Sequence, residues 1–112
     1  MQTPEQKIDA IRENAFACFN AFKDTELKKP ATEIFNNSYK IDFYTSLLNF
    51  FEDAEYFEDD VIAVLLESGD SVIEELYWQL LKMDNTTFGT YSEICDFIGE
   101  ATKYMEGGKY AT

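Results

Sequence analysis

The sequence contains no histidine. That absence removes the commonest general base, the Ser-His and Cys-His nucleophile pairs, and most zinc sites. Glycine is scarce: the five present are isolated or lie at the C-terminal end, so no glycine-rich phosphate loop can form. Only two cysteines occur, Cys18 and Cys95. They could form one bridge, but both fall on helix faces that read as apolar, where buried thiols without redox chemistry are the expectation. The longest aliphatic run, VIAVLL at 61–66, is far short of the roughly 20 apolar residues that a membrane-spanning helix needs. MQTPEQKID at the start has no basic region followed by an apolar core, so a cytoplasmic protein is expected. Basic residues are the most conspicuous shortage, with 9 Lys and Arg against 22 Asp and Glu and a net charge of −13.

What is present argues for folding despite that charge. Apolar residues make up 46 % of the 112 and aromatic residues 16 %, too much for a disordered chain and enough for one domain spanning residues 1–112. Helical periodicity dominates. Thr3, Pro4 and Gln6 make a capping box with proline at the first helical position, followed by Ile8, Ile11, Ala15, Cys18, Phe19 and Phe22 at steps of three and four. DTELKKPAT at 24–32 is expected to end that helix. A second pattern over 31–53 carries Ile34, Ile41, Tyr44, Leu48 and Phe51 on one face with Leu47 beside it, and Asn36, Asn37 and Ser38 are poor helix formers that invite a break. Residues 57–69 read as a short helix stopped by Gly69. Ser71 and Glu74 suggest a second capping box and Thr90 and Glu93 a third, with DNTTFG at 84–89 as the intervening turn, Gly107 and Gly108 as the final stop, and a frayed KYAT tail. With no sustained period-two alternation, the expectation is an all-α, compact bundle of about five amphipathic helices.

Candidate chemistry fails against this frame. A calcium loop over Asp84–Cys95 would place Phe88 at a ligand position and Cys95 where a bidentate glutamate is required. A weak divalent-cation site among the acids of 52–60 has no defining spacing, and clustered surface carboxylates are solvated groups of ordinary acidity. No catalytic residue, metal or cofactor is therefore assigned, and the chain is expected not to be an enzyme.

Charge is distributed unevenly. Residues 1–40 carry six acids and six bases, whereas residues 41–81 carry eleven acids and no base. Within that segment FFEDAEYFEDD at 50–60 packs four aromatic rings and six carboxylates into eleven positions. The plain interpretation is that Phe50, Phe51 and Phe57 are core and the acids a solvated face. Eleven acids without a base destabilise a fold by self-repulsion, however, and solubility alone is usually served by mixed charge. Side chains three or four apart on a helix stand about 5 to 6 Å from one another, comparable to neighbouring phosphates on a nucleic acid strand. A phosphate-like surface of Glu52, Asp53, Glu55, Glu58, Asp59, Asp60, Glu67, Asp70, Glu74 and Glu75 is thus the candidate partner-binding site. Tyr56 and Phe57 would be its apolar anchors, with Phe43 and Trp78 as further candidates. The expected partner is a basic nucleic-acid-binding protein; direct contact with nucleic acid or membrane is not.

PATEIFNNSYKIDFY and the later AVLLESGDSVIEELYWQLLKMD resemble a family of small acidic helical domains of unknown function carried on conjugative elements and prophages of gut bacteria. The resemblance covers about residues 30–100 and falls on Pro30, Ile34, Tyr39, Ile41, Leu65, Leu66, Leu76, Tyr77 and Asp84. It brings no catalytic residues. It implies a mobile-element setting in the cytoplasm of a bacterial host, where small acidic proteins disarm host nucleases. The expectation is then a phage- or mobile-element-encoded inhibitor of a host defence nuclease, of the anti-CRISPR or anti-restriction kind, acting as a DNA mimic. The alternatives are a helical interaction module such as a toxin immunity protein, and a structural or regulatory protein with no defence role.

Overall fold

The computed structural model describes residues 3–83 and 88–110, with side chains to Met105. Among these the secondary structure is helical throughout: α1 Pro4–Leu27, α2 Ala31–Asn36, α3 Ser38–Asp53, α4 Asp59–Ser68, a 3₁₀ turn Gly69–Ser71, α5 Val72–Lys82 and α6 Tyr91–Tyr110. The all-α bundle expected from periodicity is what forms. The expected second helix is divided at Asn37 into α2 and α3.

The N-terminus of α1 forms as its sequence requires. Thr3 Oγ1 accepts from the Gln6 amide at 3.1 Å, and Gln6 Oε1 accepts from the Thr3 amide at 2.9 Å. The helix runs past the expected end to Leu27, because nothing in DTEL breaks it; Lys28 caps it and Pro30 prevents continuation. Glu26, only 5 % exposed, then fixes the turn into α2 and α3. Its Oε1 accepts from Lys29 Nζ at 2.6 Å and from Asn37 Nδ2 at 2.7 Å, so the side chain at the break between α2 and α3 is tied to the end of α1.

The Lys29 hydrogen bond, with the Asn37 bond and the charges of Lys29 and Lys40, holds the Glu26 carboxyl below its ordinary range against the opposing cost of burial. A carboxyl depressed in the folded state contributes stability that is complete above its unfolded value of about 4.3 and is lost as pH falls through the folded value. Glu26→Gln should therefore melt below the natural protein at neutral pH, by about 1–2 kcal/mol, and the gap should close on acidification below about pH 4. Thermal melts of both proteins across that range check it, and a gap that widens in acid would remove Glu26 from this role.

The second capping box does not form. Gly69 has φ +58° and ψ −139°, which turns the chain into the 3₁₀ segment, and Ser71 at φ −102°, ψ 13° lacks the extended backbone that an N-cap requires. The expected glycine stop of α4 is present, and its reason is this positive φ. A Cβ at Gly69 would meet nothing within 4 Å, so Gly69→Ala should lose about 1–3 kcal/mol through backbone strain alone, readable in a denaturant melt. An unchanged midpoint would mean that the turn relaxes freely.

The third box closes, with the Thr90 amide donating to Glu93 Oε1 at 3.0 Å and the Glu93 amide to Thr90 Oγ1 at 3.2 Å. Helix α6 does not stop at Gly107 and Gly108 but extends to Tyr110, which takes in the first half of the expected KYAT tail. Residues 84–87, the larger part of the expected DNTTFG turn and the first third of the rejected calcium loop, lie outside the described residues, as do Ala111 and Thr112.

Helix α1 packs on α3, α4, the 3₁₀ turn and α5, while α6 packs on α3, α4 and α5. The core is aromatic at its centre. Phe43 is fully buried, with ring centroids of Tyr77, Phe88 and Phe97 at 5.5, 5.1 and 5.8 Å. Leu47, rather than Leu48, lies on the buried stripe of α3 with Phe43, Tyr44, Phe50 and Phe51. Cys18 is buried as expected, but Cys95 is exposed and the two thiols are free.

Candidate functional site

Helix α3 ends in FFED, which places two acids in its last turn, where the helix dipole disfavours them, and supplies no base of its own. The compensating charge comes from α1. Arg12, the sole arginine of the chain, donates from Nε to the Phe51 carbonyl at 2.9 Å and from Nη2 to the Ala54 carbonyl, while Nη1 pairs with Asp9 at 2.7 Å. One guanidinium thus anchors the end of α3 and the start of the Ala54–Glu58 loop that presents the acidic segment.

Along that segment the chain alternates inward and outward. Phe50 and Phe51 are buried, and Phe57 is half-buried with its centroid 5.9 and 6.2 Å from theirs. Phe57 therefore serves the core as well as the surface. Tyr56 is 77 % exposed and keeps its role as a candidate anchor. Glu52, Asp53, Glu55, Glu58, Asp59 and Asp60 all face solvent, as do Glu67, Asp70, Glu74 and Glu75. Phe43 is excluded as an anchor by its burial; periodicity did not place it on the inner face because its partners come from distant helices. Trp78 is exposed on α5, one turn beyond Glu74 and Glu75.

Ion pairs among the described residues join Arg12 to Asp9, Lys29 to Glu26 and Lys103 to Glu100, so none of them neutralises an acid of 52–60. Lys40, the last base before the base-free segment, is turned onto aromatic rings instead. Its Nζ lies 5.5, 5.8 and 5.2 Å from the centroids of Phe22, Tyr44 and Tyr77. The charge of Lys40 thus serves cation–π contacts as well as the Glu26 carboxylate.

The acids do not form one continuous helical row. Glu52 and Asp53 close α3, Glu55 and Glu58 lie on the loop, and Asp59 and Asp60 open α4, where the dipole favours them. Glu67 is at the other end of α4, about 10 Å further along at 1.5 Å per residue, and Asp70, Glu74 and Glu75 continue from there. Two acidic patches result. Burial raises the Tyr91 hydroxyl pKa first, with Cys95, Asp53 and Glu55 adding, which places the first patch beside the start of α6. Burial likewise raises the Cys18 thiol, the backbone groups of Glu74 and Ile73 oppose the rise, and the Glu74 and Asp70 carboxylates add to it, which places the second patch beside the middle of α1.

Sequence reasoning missed a cleft of about 560 Å³ next to the first patch. Tyr56, Phe57, Glu58 and Asp60 line it together with the α6 residues Cys95, Asp96, Gly99 and Glu100. The i, i+4 acids Asp96 and Glu100 on an exposed helix face were its only sequence signal. Among the described residues no three His, Cys, Asp or Glu side chains are placed to hold a metal ion, which includes the acids of 52–60. None of the helices there is long and apolar enough to cross a membrane.

The fold and surface define an acidic all-α domain. Compared with known proteins, the chain matches no family model, no curated protein and no solved structure.

Proposed function

We propose that the chain is a protein-binding module whose acidic surface occupies the cationic nucleic-acid cleft of a partner, and that the partner is a host defence nuclease of the anti-CRISPR or anti-restriction kind. The observation that carries the first step is the exposed set Glu52, Asp53, Glu55, Glu58, Asp59 and Asp60 around an exposed Tyr56, with the nearby bases engaged elsewhere. Lys and Arg clefts that grip phosphate would attract such a surface and release its counterions, as they do for DNA. The second step is supported by the mobile-element resemblance of residues 30–100.

Two patches rather than one row suit a partner with cationic contacts on either side of a groove. The test is capture of a basic partner from host lysate followed by competition. Nucleic acid and this protein should exclude one another from the captured enzyme, the protein alone should bind no DNA, and inhibition should weaken as salt rises. A ternary complex with DNA still seated in its cleft would defeat the phosphate-mimic mechanism. Capture of a basic toxin without nuclease activity would select the immunity reading instead.

A further inference from the structure

The cleft between α4 and α6 joins two properties that a solvated acidic face does not need to combine. Val61 and Val64 of α4, Ile98 of α6 and Phe57 give it apolar lining. Glu58 and Asp60 contribute carboxylates from one side, and Asp96 and Glu100 from the other. The single base in the lining, Lys103, is 76 % exposed and stands 3.7 Å from Glu100.

A second observation is independent of charge. Gly99 lies within α6, where glycine costs roughly 1 kcal/mol relative to alanine. A Cβ there would meet nothing within 4 Å, so packing inside this chain does not call for the glycine. Its bare backbone lines the cleft and leaves room for a side chain arriving from outside.

We propose that the cleft receives an arginine side chain from the basic partner, an inference that rests on the reading of that partner as a cationic protein and adds where one of its residues is seated. The arginine stem lies along Phe57, Val61 and Ile98, and the guanidinium reaches the carboxylates. Arginine fits better than lysine because its planar head is weakly hydrated, pairs bidentately with carboxylates and stacks on rings such as those of Tyr56 and Phe57.

Cys95 supplies a footprint, since it is exposed in the cleft lining while Cys18 is buried. The probe is a short fluorescent peptide of arginine and leucine, compared with its lysine counterpart at low salt. The arginine peptide should bind about tenfold more tightly than the lysine one and should slow alkylation of Cys95. Gly99→Leu, which fills the cleft, should weaken that binding about tenfold with its thermal transition retained, whereas Gly99→Ala should bind as the natural protein does. Failure of the arginine peptide to bind, equal binding to Gly99→Leu, or unprotected Cys95 would each overturn the seat. Glu52, Asp53 and Glu55 stand outside the cleft lining, so reversing their charge tests the wider acidic surface separately.

Discussion

Truncating Phe43 to alanine is expected to cost about 3–5 kcal/mol, a large part of the roughly 5–15 kcal/mol that holds a domain of this size folded. The ring is 0 % exposed and touches Tyr44, Tyr77, Phe88 and Phe97 in edge-on and tilted contacts, so its removal leaves a void bordered by three different helices and the segment before α6. Such a site collapses poorly, because Tyr44, Tyr77 and Phe97 are held by three different helices. Thermal and denaturant melts should show the loss together with a drop in melting temperature of more than about 10 °C. Tyr56→Ala, made at an exposed ring on the same chain, should move stability by less than about 0.5 kcal/mol. If the two variants melted alike, the aromatic centre of the core would be misplaced.

Phe43 also shows where sequence reasoning stops. Steps of three and four identify which helices are amphipathic, but a ring near the edge of a stripe is assigned by contacts to residues more than thirty positions away. Its partners Tyr77, Phe88 and Phe97 carry no local mark of the meeting. Local rules succeeded where the physics is local: the Thr3–Gln6 and Thr90–Glu93 boxes close because donors and acceptors lie within one turn. The same signature failed at Ser71 and Glu74, because the positive φ of Gly69 sets the chain direction two residues earlier. Asn37 was recognised as a weak point for helix. Its actual partner, the Glu26 carboxylate, could not be read from spacing.

The candidate site divides in the same way. Exposure of all ten acids followed from their chemistry, since carboxylates keep their hydration at the surface. Their arrangement did not, because the 52–60 acids straddle a helix end, a loop and a helix start, and no single period spans all three. Arg12 belongs to a different helix from the loop that it anchors, and the cleft exists only once α4 and α6 meet. What legibility remained lay in charge: a long stretch without bases is a property of composition and survives any folding.

Reversing Glu52, Asp53 and Glu55 to lysine should weaken binding of a confirmed nuclease partner by about a hundredfold or more, with the helical circular dichroism retained. These three positions separate binding from stability better than Asp59 and Asp60 do. Asp59 and Asp60 sit in the first turn of α4, where negative charge is favourable, and Asp60 Oδ1 accepts from the Val61 amide at 3.0 Å, so replacing them would also loosen the helix. Glu52 and Asp53 occupy the last turn of α3, where the dipole prefers a cation, and Glu55 is on the following loop. Lysines at 52 and 53 should therefore leave the melting temperature unchanged or raise it while binding is lost. The residual affinity should depend on salt more weakly, because fewer counterions are released when fewer charges meet. Loss of binding accompanied by loss of the melting transition would trace the effect to folding, through the neighbouring Arg12 anchor on Phe51 and Ala54. A triple variant that bound the same partner at full strength with an unchanged salt slope would show that this patch does not stand in for phosphate.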